Sequence, residues 1–336
     1  MHNQNAEVKI LIACCIAEIL RIFAPDAPYG DPHQLKTVLM FLIKQLRGLD
    51  NPKDPVFVHY YLLLENLSIV KTLNIVLELE ESPEFVLIMI KLFFAILQSD
   101  DIPEKVQGML IEILISIIKE CDHLSVSALD ALLVNLVEPH KTQNRIAYRC
   151  ARDVIDISGT SIHPFLESYL LSIITEGKNA ESTLGEYVFE ITYEIQKIMP
   201  AIIVGLNAQL EDRIKSSDVK DRLETVRLLA RLFSDRGATV FTDCPTLWTL
   251  FLSRFNDISP EIRLQCLKSA TELLFNHLTV RQDICEALIH RFRDTDDNVR
   301  TQAITTMMTV GKKDFGIISE EILNCIKDRT LDKKII

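Results

Sequence analysis

Glycine and proline are both scarce, with 10 and 12 copies in 336 residues. Sheet-rich and loop-rich folds need these residues at their turns, so the shortage favours helices joined by short connections. Long apolar runs are missing too. The most apolar stretch, Val86 to Leu97, is interrupted by Lys91 and falls short of the roughly 20 residues a bilayer-crossing helix needs. It reads as a buried core helix, and no membrane association is expected. The chain opens polar and enters a helical pattern at once, unlike a secretory leader.

Catalytic signatures are equally absent. Gly177-Lys178 and Gly311-Lys312 lack the upstream glycine and the following Ser or Thr of a phosphate-binding loop. No G-x-G-x-x-G, G-x-S-x-G or H-E-x-x-H occurs, and the eight histidines form no i, i+4 pair for a metal. Carboxylate pairs such as Glu80-Glu81, Asp100-Asp101 and Asp296-Asp297 fall at helix ends, where they serve as caps. The eight cysteines, at 14, 15, 121, 150, 244, 266, 285 and 325, contain no C-x-x-C pair. They are expected to be reduced, buried thiols of an intracellular protein. The chain reads as a non-enzyme requiring no cofactor and holding no metal.

What is present is helical periodicity over a chain that is 48% apolar and 25% charged. Helices are predicted at 5–23, 33–47, 56–80, 84–98, 103–121, 125–137, 143–158, 163–176, 181–198, 200–216, 218–234, 245–255, 259–276, 279–293, 296–311 and 315–328, with no linker between them. Asp257-Ile-Ser-Pro-Glu-Ile-Arg263 and Asp294-Thr-Asp-Asp-Asn-Val-Arg300 each lead into a small-and-aliphatic helix. Ser217-Asp-Val-Lys-Asp-Arg222 and Asn5-Ala-Glu-Val-Lys9 do the same earlier. An acidic residue followed by an aliphatic and an arginine, recurring at about 40 residues, is the opening of a HEAT repeat. The aspartate caps the helix, and the arginine is placed to pair with an aspartate of a neighbouring repeat. The expected fold is therefore all-α, a HEAT-repeat solenoid built as a right-handed superhelix of antiparallel helix pairs. It is read as one array over 1–336 and a fragment of a longer solenoid.

Charge is uneven. The formal net charge is −11, and residues 211–336 carry 20 basic and 20 acidic groups, so the whole excess lies in residues 1–210. An acidic first part repels phosphate backbones, which argues against a direct DNA-binding solenoid.

One segment stands out: Ala24-Pro-Asp-Ala-Pro-Tyr-Gly-Asp-Pro32. Pro25 and Pro28 stiffen the corner, so Asp26 is held at a set position beside Ala24, Ala27 and Tyr29. A preset carboxylate of this kind suits a short basic or aromatic peptide; the competing reading is a plain turn between two helices. Two basic sets, His140, Lys141, Arg145, Arg149 and Arg152, and Arg222, Arg227 and Arg231, could bind an acidic peptide or a polyphosphate. Sets of this kind are more often solvated faces or ladders between repeats.

The corner, following Ala13-Cys-Cys-Ile-Ala-Glu-Ile-Leu-Arg-Ile-Phe23, resembles the family of sister-chromatid cohesion regulators called precocious dissociation of sisters five. Tyr60-Tyr-Leu-Leu-Leu-Glu-Asn-Leu67, Leu133-Val-Asn-Leu-Val-Glu-Pro-His-Lys141, Leu247-Trp-Thr-Leu-Phe-Leu-Ser-Arg-Phe-Asn-Asp-Ile258 and Arg329-Thr-Leu-Asp-Lys333 resemble it as well, in family order. The resemblance implies a nuclear scaffold on the cohesin ring that contacts the kleisin subunit and reaches chromatin through cohesin. It implies that Ala24, Pro25, Asp26, Ala27 and Pro28, with Tyr29 beside them, dock short tyrosine-serine-arginine motifs. The wings-apart-like protein and sororin-type proteins would compete for that dock. Inositol hexakisphosphate is associated with the family's solenoid, without ligands that can be matched to positions here. On residues alone, a generic HEAT adaptor of the transport-receptor or phosphatase-scaffold type is the alternative.

Overall fold

A computed structural model of the chain describes residues 5–24, 27–177 and 180–329. Among these residues there are helices and turns but no β-strand, as the sequence predicts. The chain divides into two compact units, Met1–Glu194 and Ile195–Ile336. The division falls inside a helix rather than at a linker.

The first unit contains α1 (Ala6–Phe23), α2 (Pro32–Gln45), α3 (Phe57–Ile69), α4 (Ser82–Ile96) and α5 (Glu104–Glu120). It continues with α6 (Val126–Leu133), α7 (His140–Gln143), α8 (Arg145–Ser158) and α9 (His163–Glu176). Helix α10 (Val188–Gln196) crosses the division. The first unit packs its helices in two rows. Helices α1, α3, α5 and α8 lie side by side in one, and α4, α6 and α9 follow one another in the second. The reason is visible in α8, which buries Ala147, Cys150, Ala151, Val154, Ile155 and Ser158. That spacing gathers one apolar stripe on a 3.6-residue period and leaves arginines opposite. Asn144 caps its start by accepting the Ala147 amide at 2.9 Å. Gly159 and Gly177 end α8 and α9 at φ +50° and +57°, conformations that a Cβ would strain.

The second unit contains α11 (Ile202–Ile214), α12 (Val219–Ser234), α13 (Val240–Asp243), α14 (Pro245–Ser253), α15 (Pro260–Asn276), α16 (Arg281–Ile289), α17 (Asp297–Lys313) and α18 (Glu320–Arg329). Again there are two rows, α12–α15–α17 and α11–α14–α16–α18. This is the stacked helix-pair arrangement of a HEAT repeat, with one apolar layer buried between the rows. Phe233, Phe251 and Phe255 are fully buried there. Trp248 meets Phe233 edge-on at 5.0 Å between ring centroids.

Two predicted helices are corrected. The helix predicted at 56–80 ends at Ile69, Lys71 turns left-handed at φ +51°, and a 3-10 segment follows over Thr72–Glu78. An unbroken helix would carry Asn74 to the face of Leu67 and turn Leu73 and Val76 outward. The break restores the phase, and both are fully buried. The helix predicted at 181–198 is α-helical only over Val188–Gln196. Its predicted first turns are held instead by Asp130 on α6. That carboxylate accepts from the Ser182 hydroxyl at 2.7 Å, the Thr183 amide at 2.8 Å and the Thr183 hydroxyl at 2.7 Å.

Candidate functional site

Helix α1 starts from Asn5, whose side chain accepts the Glu7 amide at 2.8 Å, and ends at Phe23. Ala24 follows in an extended turn and is exposed. Pro25 and Asp26 lie outside the described residues. Ala27 and Tyr29 are half-buried, Pro28 is exposed, and Asp31 caps α2 by accepting the His33 amide at 3.0 Å. The described residues of this corner lie between the end of α1 and the capped start of α2, with their small and aromatic side chains open or partly open to solvent. Ile22 and Phe23 are also exposed, so the last turn of α1 adds apolar surface to it.

Of the first basic set, Lys141, Arg149 and Arg152 are committed to contacts within the fold, and Arg145 is exposed. The Lys141 ammonium donates to Glu194 at 2.7 Å and sits 5.3 Å from the centre of the Tyr148 ring. Tyr148 donates its hydroxyl to Glu194 at 2.9 Å, and Arg152 donates to the Tyr148 oxygen at 3.2 Å. Arg149 reaches the side-chain oxygen of Gln107 on α5 at 2.6 Å. Burial lowers the Lys141 pKa, but the hydrogen bond and charge of Glu194 outweigh it and hold the ammonium above its ordinary value. These side chains tie α7 and α8 to their neighbours.

The second basic set is not one face. Arg227 and Arg231 are exposed, whereas Arg222 is buried and forms a rung between repeats. Its Nε and Nη2 donate to the two carboxylate oxygens of Asp257 at 2.9 and 3.0 Å, and its Nη1 donates to the Ser216 and Ser217 carbonyls. Arg263 repeats the pattern with Asp294 at 2.8 and 2.6 Å and with the Asp257 and Ile258 carbonyls. The rung side chains are at most 8% exposed. Burial pushes the Asp257 and Asp294 carboxyls up, yet hydrogen bonds from Arg222 and Arg263 and from backbone amides hold both below the ordinary carboxylate range. The arginine–aspartate pairing anticipated in the sequence is therefore present here.

Among the described residues, no group of three or more His, Cys, Asp or Glu side chains is placed to hold a metal. No single described helix is long and apolar enough to cross a membrane. The cysteines are free thiols. Burial pushes Cys121 and Cys150 up to about 11, so both stay protonated at neutral pH. Cys15, expected to be buried, is exposed. It belongs to a feature the sequence reading missed, an apolar face shared by α1 and α3. Its only signal is that α1 is apolar on more sides than its core needs.

A family model described as sister chromatid cohesion protein PDS5 matches residues 1–336. Sister chromatid cohesion protein PDS5 homolog A of Danio rerio is 37% identical over 334 residues, covering 99% of this chain and 25% of the relative. PDS5 homolog B of Mus musculus is 36% identical over the same length, covering 99% and 23%. The chain thus spans about a quarter of the length of these relatives. Among solved structures, a chain from a study of the Pds5-Scc1 complex superposes with a TM-score of 0.80 at 18% identity, covering 99% of this chain and 52% of that one. That likeness shows the shared fold.

Proposed function

This chain belongs to the sister chromatid cohesion protein PDS5 family, and from that premise we propose that it is a non-enzymatic, cohesin-associated scaffold that receives short partner segments at the corner between α1 and α2. One observation carries the reading: Ala24 and Pro28 are exposed and Ala27 and Tyr29 half-buried between the end of α1 and the capped start of α2, with Ile22 and Phe23 exposed beside them. A segment held by proline and by helix ends loses little further freedom when a peptide binds, so modest contacts suffice for affinity. Asp26, carrying the corner's negative charge, accepts the partner's basic or hydroxyl group. The wings-apart-like protein and sororin-type proteins are the competing visitors, and exchange between them regulates release and maintenance of cohesion.

The solved structure that shares this fold comes from a study of the Pds5-Scc1 complex, which supports a kleisin as a further partner. A nuclear location, chromatin association through cohesin and inositol hexakisphosphate as a ligand accompany the proposal from the family resemblance alone. The test is fluorescence polarisation of a labelled tyrosine-serine-arginine peptide against the chain and its Asp26→Arg variant. The variant is expected to weaken binding at least tenfold; equal affinity removes the corner from the proposal.

A further inference from the structure

We propose that Thr183 is a phosphorylation site for an acid-directed serine/threonine kinase, and that its phosphate releases residues 180–187 from the carboxylate that holds them. The site shares no residue with the corner between α1 and α2. Asp130 on α6 gathers the segment. Its Oδ1 accepts the Tyr169 and Ser182 hydroxyls, each at 2.7 Å, and its Oδ2 accepts the Thr183 amide at 2.8 Å and the Thr183 hydroxyl at 2.7 Å. The described groups that meet it are thus hydroxyls and an amide, with no cation among them. Burial pushes the Asp130 carboxyl up, yet hydrogen bonds from Ser182, Tyr169 and Thr183 hold it below the ordinary carboxylate range. The clamp is therefore an anion at neutral pH.

Exposure and sequence single out Thr183 within the segment. It is exposed, whereas Ser182 is half-buried, and the Ser182 oxygen also meets the Tyr169 hydroxyl at 2.9 Å and accepts the Leu184 amide at 3.0 Å. Thr183-Leu-Gly-Glu186 sets an exposed carboxylate three residues after the hydroxyl, and the exposed Glu181 stands two residues before it. A kinase with a basic substrate groove reads that pattern by charge. Ser182 has Gly185 at the same offset and offers no such mark. In the transfer, the Thr183 oxygen bonds to the γ-phosphorus of ATP. The bond to the bridging oxygen breaks, its electron pair leaves on ADP, and the kinase's catalytic carboxylate takes the hydroxyl proton.

The product cannot keep the clamp. A phosphothreonine carries about −1.5 to −2 charges at pH 7, and its ester oxygen has no proton to donate. That oxygen now lies 2.7 Å from Asp130 Oδ2, so two anions would share one partly buried site. Like-charge repulsion and desolvation both favour the open segment. Residues 180–184 form turns rather than helix, so they can open without unwinding α9 or α10. The kinase meets the hydroxyl during such local openings, and the phosphate makes them lasting. Opening uncovers Leu184, which is 6% exposed when the clamp is closed.

The chain is incubated with ATP and a purified acid-directed kinase, and the modified position is mapped by tandem mass spectrometry. Amide exchange is then compared between the phosphorylated and unmodified chains. Thr183 is expected to be modified, and Glu186→Gln should slow its modification about fivefold. Phosphorylation should quicken exchange over residues 181–187 about tenfold, with the helical circular dichroism of the chain retained. Thr183→Val, which removes the hydroxyl but adds no charge, should quicken it less. In Asp130→Lys the sign should reverse, because the phosphate pairs with the ammonium and slows exchange. The proposal is overturned if Thr183 stays unmodified, if Glu186→Gln is modified as fast, or if the phosphorylated chain exchanges like the unmodified one. Phosphate that still quickens exchange in Asp130→Lys overturns it as well. The comparison of phosphorylated with unmodified protein uses the unaltered chain, so it decides the matter even where Asp130→Lys does not fold.

Discussion

The two units tie neighbouring repeats together by different means. In Ile195–Ile336, successive helices of one row are joined by buried guanidinium–carboxylate rungs, Arg222 to Asp257 and Arg263 to Asp294. Each aspartate also takes an arginine three residues before it, Arg254 or Arg291. Each accepts a backbone amide as well, that of Ser259 or Asp296. In Met1–Glu194 the ties are mixed: Lys141 and Tyr148 share Glu194, Asp130 gathers four donors, and others are single. Asn74 donates to Ser116 at 2.9 Å, and Asn144 donates to Gln98 at 3.2 Å. Lys36–Glu81 and Lys53–Asp101 are ion pairs at the surface. A buried ion pair adds little net stability over an apolar pair of similar volume, but losing one partner leaves the other charge stranded. The second unit is thus intolerant of single changes along its arginine–aspartate rungs, while the first spreads its ties over packing, hydrogen bonds and ion pairs of several kinds.

The largest test of that contrast is Asp294→Ala, which strands the buried Arg263 and takes a partner from the half-buried Arg291. It is expected to cost about 3–5 kcal/mol in chemical denaturation. Replacing Arg263 by Met and Asp294 by Leu together should cost less than Asp294→Ala alone, because the principal stranded charge is gone. A double variant as damaged as the single one would mean that the rungs act through shape rather than charge. Next in size is Asp130→Ala in the first unit. This carboxylate receives the Tyr169, Ser182 and Thr183 hydroxyls and the Thr183 amide. Its loss should cost about 2 kcal/mol, and hydrogen exchange should quicken first over residues 180–187.

How legible was this in the sequence? The rungs were, because an arginine six residues after Asp257 and again six after Asp294 repeats both a residue type and a spacing. The placement of the corner between two helices was legible for a similar reason: three prolines after a consistent apolar period admit few structures. Arg222 was grouped with Arg227 and Arg231 because sequence spacing does not say which arginine turns inward. The break at Lys71 was hidden because apolar density over 56–80 was read without its phase. The shortened α10 depends on Asp130, some fifty residues earlier, a tertiary contact that no local pattern announces. The apolar face on α1 and α3 escaped because an aliphatic residue facing solvent looks, in sequence, like one facing the core.

Acid should separate the charged ties from the neutral ones. Asp257 and Asp294 have folded-state pKa values below their unfolded ones. The stability they contribute is fully present above the unfolded value, about 4. It is lost as pH falls through the lowered folded values. The denaturation midpoint of the second unit should therefore be flat in this contribution from pH 5 to 8 and fall steeply below pH 4. Asp257→Asn should flatten that acid limb from a lower starting midpoint, and an unchanged limb would show that these carboxyls are not what acid attacks.

The smallest expected effect is at the surface of the first unit. Lys53 donates to Asp101 at 2.8 Å, and this hydrogen bond and charge raise the lysine pKa and lower the aspartate's. Both side chains stand in water, where ordering two flexible chains and screening by salt offset the attraction. Lys53→Ala should leave the denaturation midpoint unchanged at physiological salt, whereas Asp294→Ala should remain damaging at any salt concentration. If Lys53→Ala instead unfolds the first unit at low salt and recovers at high salt, surface charge holds these repeats after all. The contrast between the units would then be one of exposure rather than of mechanism.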